Sequence, residues 1–282
     1  MGNLCILTDA ATQFTHPGFP GYQHVWIVPY DVSLRGLVYP EGEGIRWNYL
    51  PSSTLNGIKP RLKAPDPETF YALFQKHAAE YSHVIAIFSS SELTPIYKAA
   101  EEAAQAAKNL VPITLIDSQT ISVGVGLLVQ MAAQEAAHGK DPLSIEQKIR
   151  RTIPKLYTLI CTAGLSYLHE AGFLEKPQAI AGEMLNMLPV LSFEEGKISP
   201  IEKARNVRGA LDFFQEFLEE FEELRHIAVL QGISPFNHET QILRNYVHEM
   251  FPDVPFSEHS LNLPTAILFG PRTIGMVILE GD

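Results

Sequence analysis

Short apolar runs alternate with helical stretches through the first half of the chain. Alternating apolar strands and amphipathic helices are typical of helices packed over a largely parallel sheet, so this half is predicted to be an α/β domain. Four apolar runs are predicted as buried strands: residues 4–8, 25–29, 84–88 and 113–116.

Two of the predicted helices carry start signals. Asp66 and Pro67 provide an N-cap and a proline at the first helical position, ahead of an apolar face that extends to residue 81. Thr94 and Pro95 repeat this signal before a stripe of alanines. A stripe of such small residues indicates a close contact between the helix and the sheet.

A third helix is predicted over residues 121–138, and it contains Gly124 and Gly126. Each glycine costs a helix about 1 kcal/mol relative to alanine. Their presence therefore suggests that a neighbour or a ligand presses against the helix backbone.

We place a domain boundary near Pro154, between residues 1–153 and 154–282. The second domain is predicted to combine a mixed sheet with helices. One long helix, over residues 201–224, has an acidic outer face that is most simply exposed to solvent. Four strands complete the predicted inventory of this half: residues 157–162, 188–193, 226–231 and 275–279.

Composition narrows the class of protein. The 282 residues carry a formal net charge of -11 and are 46% hydrophobic, which fits a soluble globular protein of one large or two ordinary domains. Cys5 and Cys161 have no second cysteine nearby, so a Cys-x-x-Cys redox pair and a thiolate zinc cluster are excluded. No apolar run reaches about 18 residues, no signal peptide is visible, and the acidic balance offers nucleic acid no basic face. A cytoplasmic setting is the default expectation.

Polar residues follow two of the predicted strands, at the edge of an open α/β sheet where ligands usually bind. Asp9 ends the first strand, and Ser90, Ser91 and Thr94 lie between a later strand and the next helix. These hydroxyls are suited to a carboxylate or a phosphate, although Thr94 capping its helix and the serines closing a turn is the simpler interpretation. Asp9 is more simply a buried structural acceptor. A small-molecule enzyme with a polar site at Asp9, Ser90, Ser91 and Asp117 is the alternative.

The ten histidines form no recognised motif for binding a metal or a resident cofactor. The chain has no His-Glu-x-x-His, no Gly-x-Ser-x-Gly elbow, no phosphate loop and no dinucleotide-binding turn. His77 is predicted to be a satisfied core histidine, and His226 is predicted to lie at the surface. We therefore expect no catalysis by this chain alone, no cofactor and no metal.

Several short segments together indicate a protein family. No one of them is specific alone, but their order and spacing along the chain are. They are residues 6–9, 28–32, 39–45, 90–97, 116–118, 124–129, 164–168, 182–191, 196–200, 203–205, 270–271 and 275. This order resembles the DegV family of lipid-binding proteins, and the resemblance covers nearly the whole chain.

The resemblance implies two α/β domains with one long-chain fatty acid in a tunnel between them, its carboxylate near the domain interface. It also implies that the protein presents the acid to a separate fatty acid kinase subunit, which uses ATP to form an acyl phosphate, with transient contact to a membrane surface. Burying roughly fifteen methylenes contributes about 12 kcal/mol before losses. A hydrogen bond to the carboxylate contributes only about 1.5 to 3 kcal/mol, so the tail is expected to dominate affinity.

The chain departs from the family pattern where the carboxylate is expected. Leu62 replaces a hydroxyl residue and is followed by Lys63. Thr94 keeps one hydroxyl, but Pro95 replaces a glycine and removes its amide. Leu268 stands where the family has a histidine.

Three further positions complete the comparison with the family pattern. Arg272 replaces the last glycine of a Gly-Pro-Gly triplet, Phe173 replaces a basic residue, and Arg205 is retained. Arg205 and Phe173 are predicted to contact a partner or to lie near the head group. The predicted carboxylate site comprises Leu62, Lys63, Ser90, Ser91, Thr94, Leu268 and Arg272.

Two hypotheses follow from these departures. In the first, a fatty-acid carboxylate is bound by the hydroxyl cluster with help from Lys63 or Arg272. In the second, the ligand has a smaller or less polar head, or the acid is bound without delivery to a kinase.

Overall fold

Two sheets organise the chain in a computed structural model that describes residues 3–233 and 237–281. The first sheet has four parallel strands, and the second has six strands of mixed direction. A small three-stranded antiparallel sheet accompanies the first. Residues 4–152 form these elements: β1 (Leu4–Asp9), β2 (Val25–Val28), β3 (Asp31–Leu34), β4 (Leu37–Tyr39), β5 (Arg61–Lys63), α1 (Pro67–Ala78), β6 (His83–Phe88), α2 (Ile96–Ala107), β7 (Ile113–Asp117), α3 (Val123–Ala137) and α4 (Pro142–Thr152).

The parallel sheet has the order β2-β1-β6-β7. Its inner strands β1 and β6 are buried almost throughout, as their apolar runs predict. The prediction of a buried strand is wrong for β2, because this strand lies at the sheet edge with Trp26 39% and Ile27 47% exposed.

The second half of the chain supplies the six-stranded sheet. Residues 156–280 form these elements: β8 (Leu156–Thr162), α5 (Leu165–Glu170), α6 (Lys176–Met184), β9 (Leu188–Glu194), β10 (Lys197–Ala204), α7 (Val207–Leu218), β11 (Leu224–Gln231), α8 (Asn237–Met250), β12 (Phe256–Ser260), α9 (Leu263–Phe269) and β13 (Thr273–Glu280). The strand order is β10-β9-β8-β13-β11-β12. The pair of β11 and β12 is parallel, and the other four pairs are antiparallel.

The predicted helix over residues 201–224 is wrong at both ends. Residues 197–204 pair with β9 as a strand, because Glu195 and Gly196 both have positive φ and close a tight hairpin turn. Asn206 then caps α7 by accepting a hydrogen bond from the Gly209 amide at 2.9 Å. The acidic face of this segment is exposed, as predicted.

Of three predictions about helix starts and helix glycines, two are confirmed and one is wrong. Asp66 caps α1 through the Thr69 amide at 2.8 Å. Thr94 does not cap α2, which begins at Ile96 without a side-chain cap. A Cβ on Gly126 would lie 1.9 Å from the carbonyl oxygen of Gln13, so a loop presses on α3 as expected.

The two histidine predictions do not hold as stated. His226 is 6% exposed within β11 and shares a hydrogen bond with the Ser257 hydroxyl at 2.9 Å, so it is not at the surface. His77 lies in the core as predicted and packs against Trp26, but its Nε2 has no hydrogen-bond partner among the described residues.

The two halves of the chain are packed against each other. One hydrophobic cluster contains side chains from both large sheets, among them Phe88 and Ile160. The Asn262 amide at the start of α9 donates to the carbonyl oxygen of Ala11 at 2.7 Å. The boundary near Pro154 stays a prediction, and the first strand of the second sheet begins at Leu156.

Candidate functional site

The carboxylate of Asp9, at the end of β1, is completely buried. It accepts hydrogen bonds from the Ser89 amide at 2.6 Å, the Ser89 hydroxyl at 3.0 Å and the Ala11 amide at 2.8 Å. Burial raises the pKa of Asp9 above its ordinary value, although these hydrogen bonds oppose the change. Asp9 is therefore a structural acceptor that joins two neighbouring strand ends.

The serines after β6 are also used within the fold. The Ser90 hydroxyl donates to the carbonyl oxygen of Gly196 at 2.8 Å, which links the first half of the chain to the β9-β10 turn. The Ser91 amide donates to the Asp117 carboxylate at 3.2 and 3.3 Å. The polar groups of the alternative enzyme site are thus bonded to neighbouring segments of the fold.

A cavity of about 270 Å³ lies where the small sheet, the start of α2, the end of α5 and α9 meet, and we call it the junction cavity. It brings together three predicted site residues from separate parts of the chain: Leu62, Thr94 and Leu268. Its lining consists of Pro60, Arg61, Leu62, Leu93, Thr94, Pro95, Glu170, Ala171, Ile267 and Leu268.

A charged group stands at one side of the junction cavity. The Glu170 side chain is 7% exposed and pairs with Lys59 Nζ at 2.7 Å and with Arg61 Nη2 at 3.4 Å. Burial disfavours ionisation of Glu170, but the two cations outweigh it and lower the pKa of this carboxyl. Glu170 is therefore ionised near neutral pH.

Thr94 supplies a hydroxyl to the lining of the junction cavity. Its side chain accepts a hydrogen bond from the buried Tyr30 hydroxyl at 3.2 Å. Burial and the nearby Asp9 charge raise the pKa of Tyr30 well above its ordinary value, so this donor stays protonated. Because a hydroxyl both donates and accepts, Thr94 is able to turn its proton either to Tyr30, which also hydrogen-bonds Asp9, or to a group in the cavity.

A second space, of about 380 Å³, lies between α5, α6 and the hairpin of β9 and β10, and we call it the apolar cavity. Its lining consists of Leu165, Leu168, Phe173, Leu174, Gln178, Gly182, Met187, Pro189, Leu191, Ile198, Pro200 and Lys203. Phe173, predicted near the head group or a partner, is part of this wall. A Cβ on Gly182 would lie 2.0 Å from Leu165 Cδ1, so the missing side chain lets α6 approach α5.

Arg205 and Arg272 line a third space, a surface depression of about 340 Å³. Met187 lines both this arginine depression and the apolar cavity. Lys63 lines none of the three spaces and stands opposite Asp31 in the small sheet. Neither predicted cation therefore lines the junction cavity with Leu62, Thr94 and Leu268. A tunnel between the halves stays a prediction.

Sequence reasoning missed Lys59, Arg61, Glu170 and Tyr30. The small sheet was not predicted, so nothing indicated that Arg61, and not Lys63, lies beside the junction cavity. The available signal was the basic residue on each side of Leu62, which pointed to a cation without selecting one.

Two negative findings apply to residues 3–233 and 237–281. No helix in these ranges is both long and apolar enough to cross a membrane. Within the same ranges, no group of three or more His, Cys, Asp or Glu side chains is placed to hold a metal ion.

The fold and the cavities define a class of protein with two α/β halves, an apolar cavity in the second half and a smaller cavity at the junction. A family model described as "Uncharacterised protein, DegV family" matches residues 3–281. The chain belongs to the DegV family, which confirms the resemblance.

Relatives and solved structures agree with this assignment. A DegV domain-containing protein of Caldanaerobacter subterraneus subsp. tengcongensis is 27% identical over 219 residues, which is 77% of each chain. A fatty-acid-binding DegV family protein from Thermus thermophilus superposes with a TM-score of 0.82 at 24% identity, covering 99% of this chain and 100% of that one. A DegV family protein from Eubacterium eligens, solved with heptadecanoic acid, gives 0.81 at 13% identity, with 99% and 100% covered. These likenesses confirm the predicted two-domain α/β fold.

Proposed function

We propose that this chain binds a long-chain fatty acid, with the acyl chain in the apolar cavity and the carboxylate in the junction cavity. The observation that carries the proposal is the apolar cavity, whose volume of about 380 Å³ lies within the usual range for small-molecule sites. Helix α5 and the turn after it contribute Leu168 to the apolar cavity and Ala171 to the junction cavity. An extended ligand that follows α5 would reach both spaces.

The hydrocarbon wall favours an acyl chain over a polar ligand. Leu165, Leu168, Phe173, Leu191 and Ile198 offer carbon to the cavity. Each buried methylene contributes about 0.8 kcal/mol, whereas a polar ligand would find hydrogen-bonding side chains in this lining only at Gln178 and Lys203. The fatty-acid-binding names of the Thermus thermophilus and Eubacterium eligens proteins support the same ligand class.

Extraction of the purified protein with organic solvent, followed by mass spectrometry, tests this proposal directly. We expect one fatty acid per chain, or, if purification strips the ligand, saturable binding of added palmitate at one site per chain. A protein that yields no lipid and also fails to bind palmitate contradicts the proposal.

Presentation of the acid to a fatty acid kinase subunit is the second part of the proposal. Its support is the family pattern, including the retained Arg205, which lines the arginine depression. In that reaction the γ-phosphoryl group of ATP passes to a carboxylate oxygen and leaves ADP and an acyl phosphate. Incubating the palmitate-loaded protein with ATP and a purified kinase subunit, and trapping the product with hydroxylamine, tests it. Hydroxamate no higher than in a reaction without the kinase subunit contradicts this part alone.

A further inference from the structure

Few side chains in the junction cavity are able to donate a hydrogen bond to a carboxylate. The prolines at positions 60 and 95 have no amide proton, and the remaining walls are mainly aliphatic. Among the lining side chains, the donors are the Thr94 hydroxyl and the Arg61 guanidinium. Because an unpartnered carboxylate is costly to desolvate, a ligand carboxylate there needs one of these two groups.

The charges beside the cavity do not cancel. Lys59 and Arg61 both pair with the single carboxylate of Glu170, which leaves one unit of positive charge near neutral pH. Lys59 makes the shorter contact, at 2.7 Å against 3.4 Å for Arg61. Lys59 does not line the cavity, so Arg61 is the cation of this pair that a ligand in the cavity would meet.

Arg61 also keeps donors for a ligand. Its contact with Glu170 engages one terminal nitrogen, Nη2, and in the described part of the chain no other hydrogen bond of the guanidinium is present. A guanidinium presents several N–H groups in a planar fork that matches a carboxylate. Arg61 is thus able to hold Glu170 with one edge and a second carboxylate with another.

We propose that Arg61 binds the carboxylate of the ligand, with Thr94 as the second donor, so that the junction cavity selects an anionic amphiphile over a neutral lipid of equal length. This inference rests on the proposed function and names the residue that recognises the carboxylate. A guanidinium here serves in place of the hydroxyl and the histidine whose positions Leu62 and Leu268 occupy.

Two nearby cations provide matched controls. Lys63 lies two residues further along β5 but stands opposite Asp31 and does not line the cavity. Arg272 lies in the arginine depression with Arg205. Each loses one positive charge when it is changed to glutamine, as Arg61 does.

The experiment compares Arg61→Gln, Lys63→Gln and Arg272→Gln with the unmodified protein, using palmitate and 1-hexadecanol as ligands of equal chain length. For Arg61→Gln we expect palmitate to bind roughly 10- to 100-fold more weakly, the effect of losing one charge-assisted hydrogen bond. Hexadecanol binding should change by less than about threefold, because the tail contacts are untouched. The two control variants should bind both ligands like the unmodified protein.

Each other outcome overturns a defined statement. Unchanged palmitate binding in Arg61→Gln, an equal loss of both ligands, or a selective loss in Lys63→Gln or Arg272→Gln overturns the assignment of Arg61 and leaves the proposed function standing. Binding of neither ligand by the unmodified protein overturns both. If Arg61→Gln does not fold, Arg61→Lys replaces it, and palmitate affinity equal to that of the unmodified protein then contradicts a need for the planar fork.

Discussion

The apolar cavity and the junction cavity are built in opposite ways. The lining of the apolar cavity lies entirely between Leu165 and Lys203, whereas the junction cavity draws on four separated segments from both halves. The first offers hydrocarbon, and the second holds Glu170 with its two cations. Under the proposed function, binding energy and head-group selection therefore come from different parts of the molecule.

The departures from the family pattern follow the same division. Leu62, Pro95 and Leu268 all change the junction cavity, where they remove groups able to hydrogen-bond a carboxylate. Phe173 replaces a basic residue but adds hydrocarbon to the apolar cavity. Under the proposed function, the contacts to an acyl tail are kept, and the residues that would recognise the head group are the ones that differ from the family pattern.

Filling the apolar cavity should produce the largest effect. Ile198 lines this cavity, and Ile198→Trp would place an indole where the tail is proposed to lie. Excluding about four methylenes removes about 3 kcal/mol, so palmitate should bind roughly 100-fold more weakly by isothermal titration calorimetry.

The adjacent residue provides the control for this change. Lys197 is exposed and does not line the cavity, so Lys197→Trp should bind palmitate normally. Equal palmitate affinity in the two tryptophan variants would show that the tail lies outside the apolar cavity. The comparison between the apolar cavity and the junction cavity would then lose its basis.

A contact between the halves should give an intermediate effect. Gly196 has a φ of 83°, and a Cβ there would lie 2.5 Å from the Ser90 hydroxyl oxygen. Gly196→Ala therefore adds a clash to the cost of the left-handed backbone, and we expect the free energy of unfolding to fall by about 2 to 3 kcal/mol. Urea denaturation measures this change.

Gly36 separates the clash from the backbone cost. Its φ of 77° is similar, but a Cβ there meets no atom within 4 Å. Gly36→Ala should lower the free energy of unfolding by only about 1 kcal/mol. Equal losses in the two variants would show that the clash with Ser90 adds nothing to the backbone cost.

Apolar runs and helix start signals were sufficient to predict much of the fold. The inner strands β1 and β6 are continuous apolar runs, and Asp66 with Pro67 marks the start of α1, so local chemistry and tertiary structure agree there. The pattern of strands and helices predicted a first and a second α/β half, and the order of the family segments implied the same arrangement. These elements are long or carry strong local signals.

The elements that were missed depend on partners distant in sequence. Strand β10 is polar enough to resemble a helix start, and its pairing with β9 is decided by the turn at Gly196. Strand β5 has only three residues and exists through its pairing with β3. Because β5 positions Leu62 and Arg61, the junction cavity could not be assembled from local patterns alone.

The smallest expected effect concerns pH and the charged side of the junction cavity. The folded-state pKa of Glu170 is lowered, so its ion pairs contribute stability that is present above the unfolded pKa of about 4.3 and is lost as the pH falls through the folded pKa. Lys59 and Arg61 are 48% and 63% exposed, and solvent screening limits this contribution to about 1 kcal/mol or less. The difference in unfolding free energy between the unmodified protein and Glu170→Gln should therefore shrink between about pH 5 and pH 3. A difference that is constant across this range would mean that Glu170 acts through packing, and the surplus positive charge beside the junction cavity would lose its electrostatic basis.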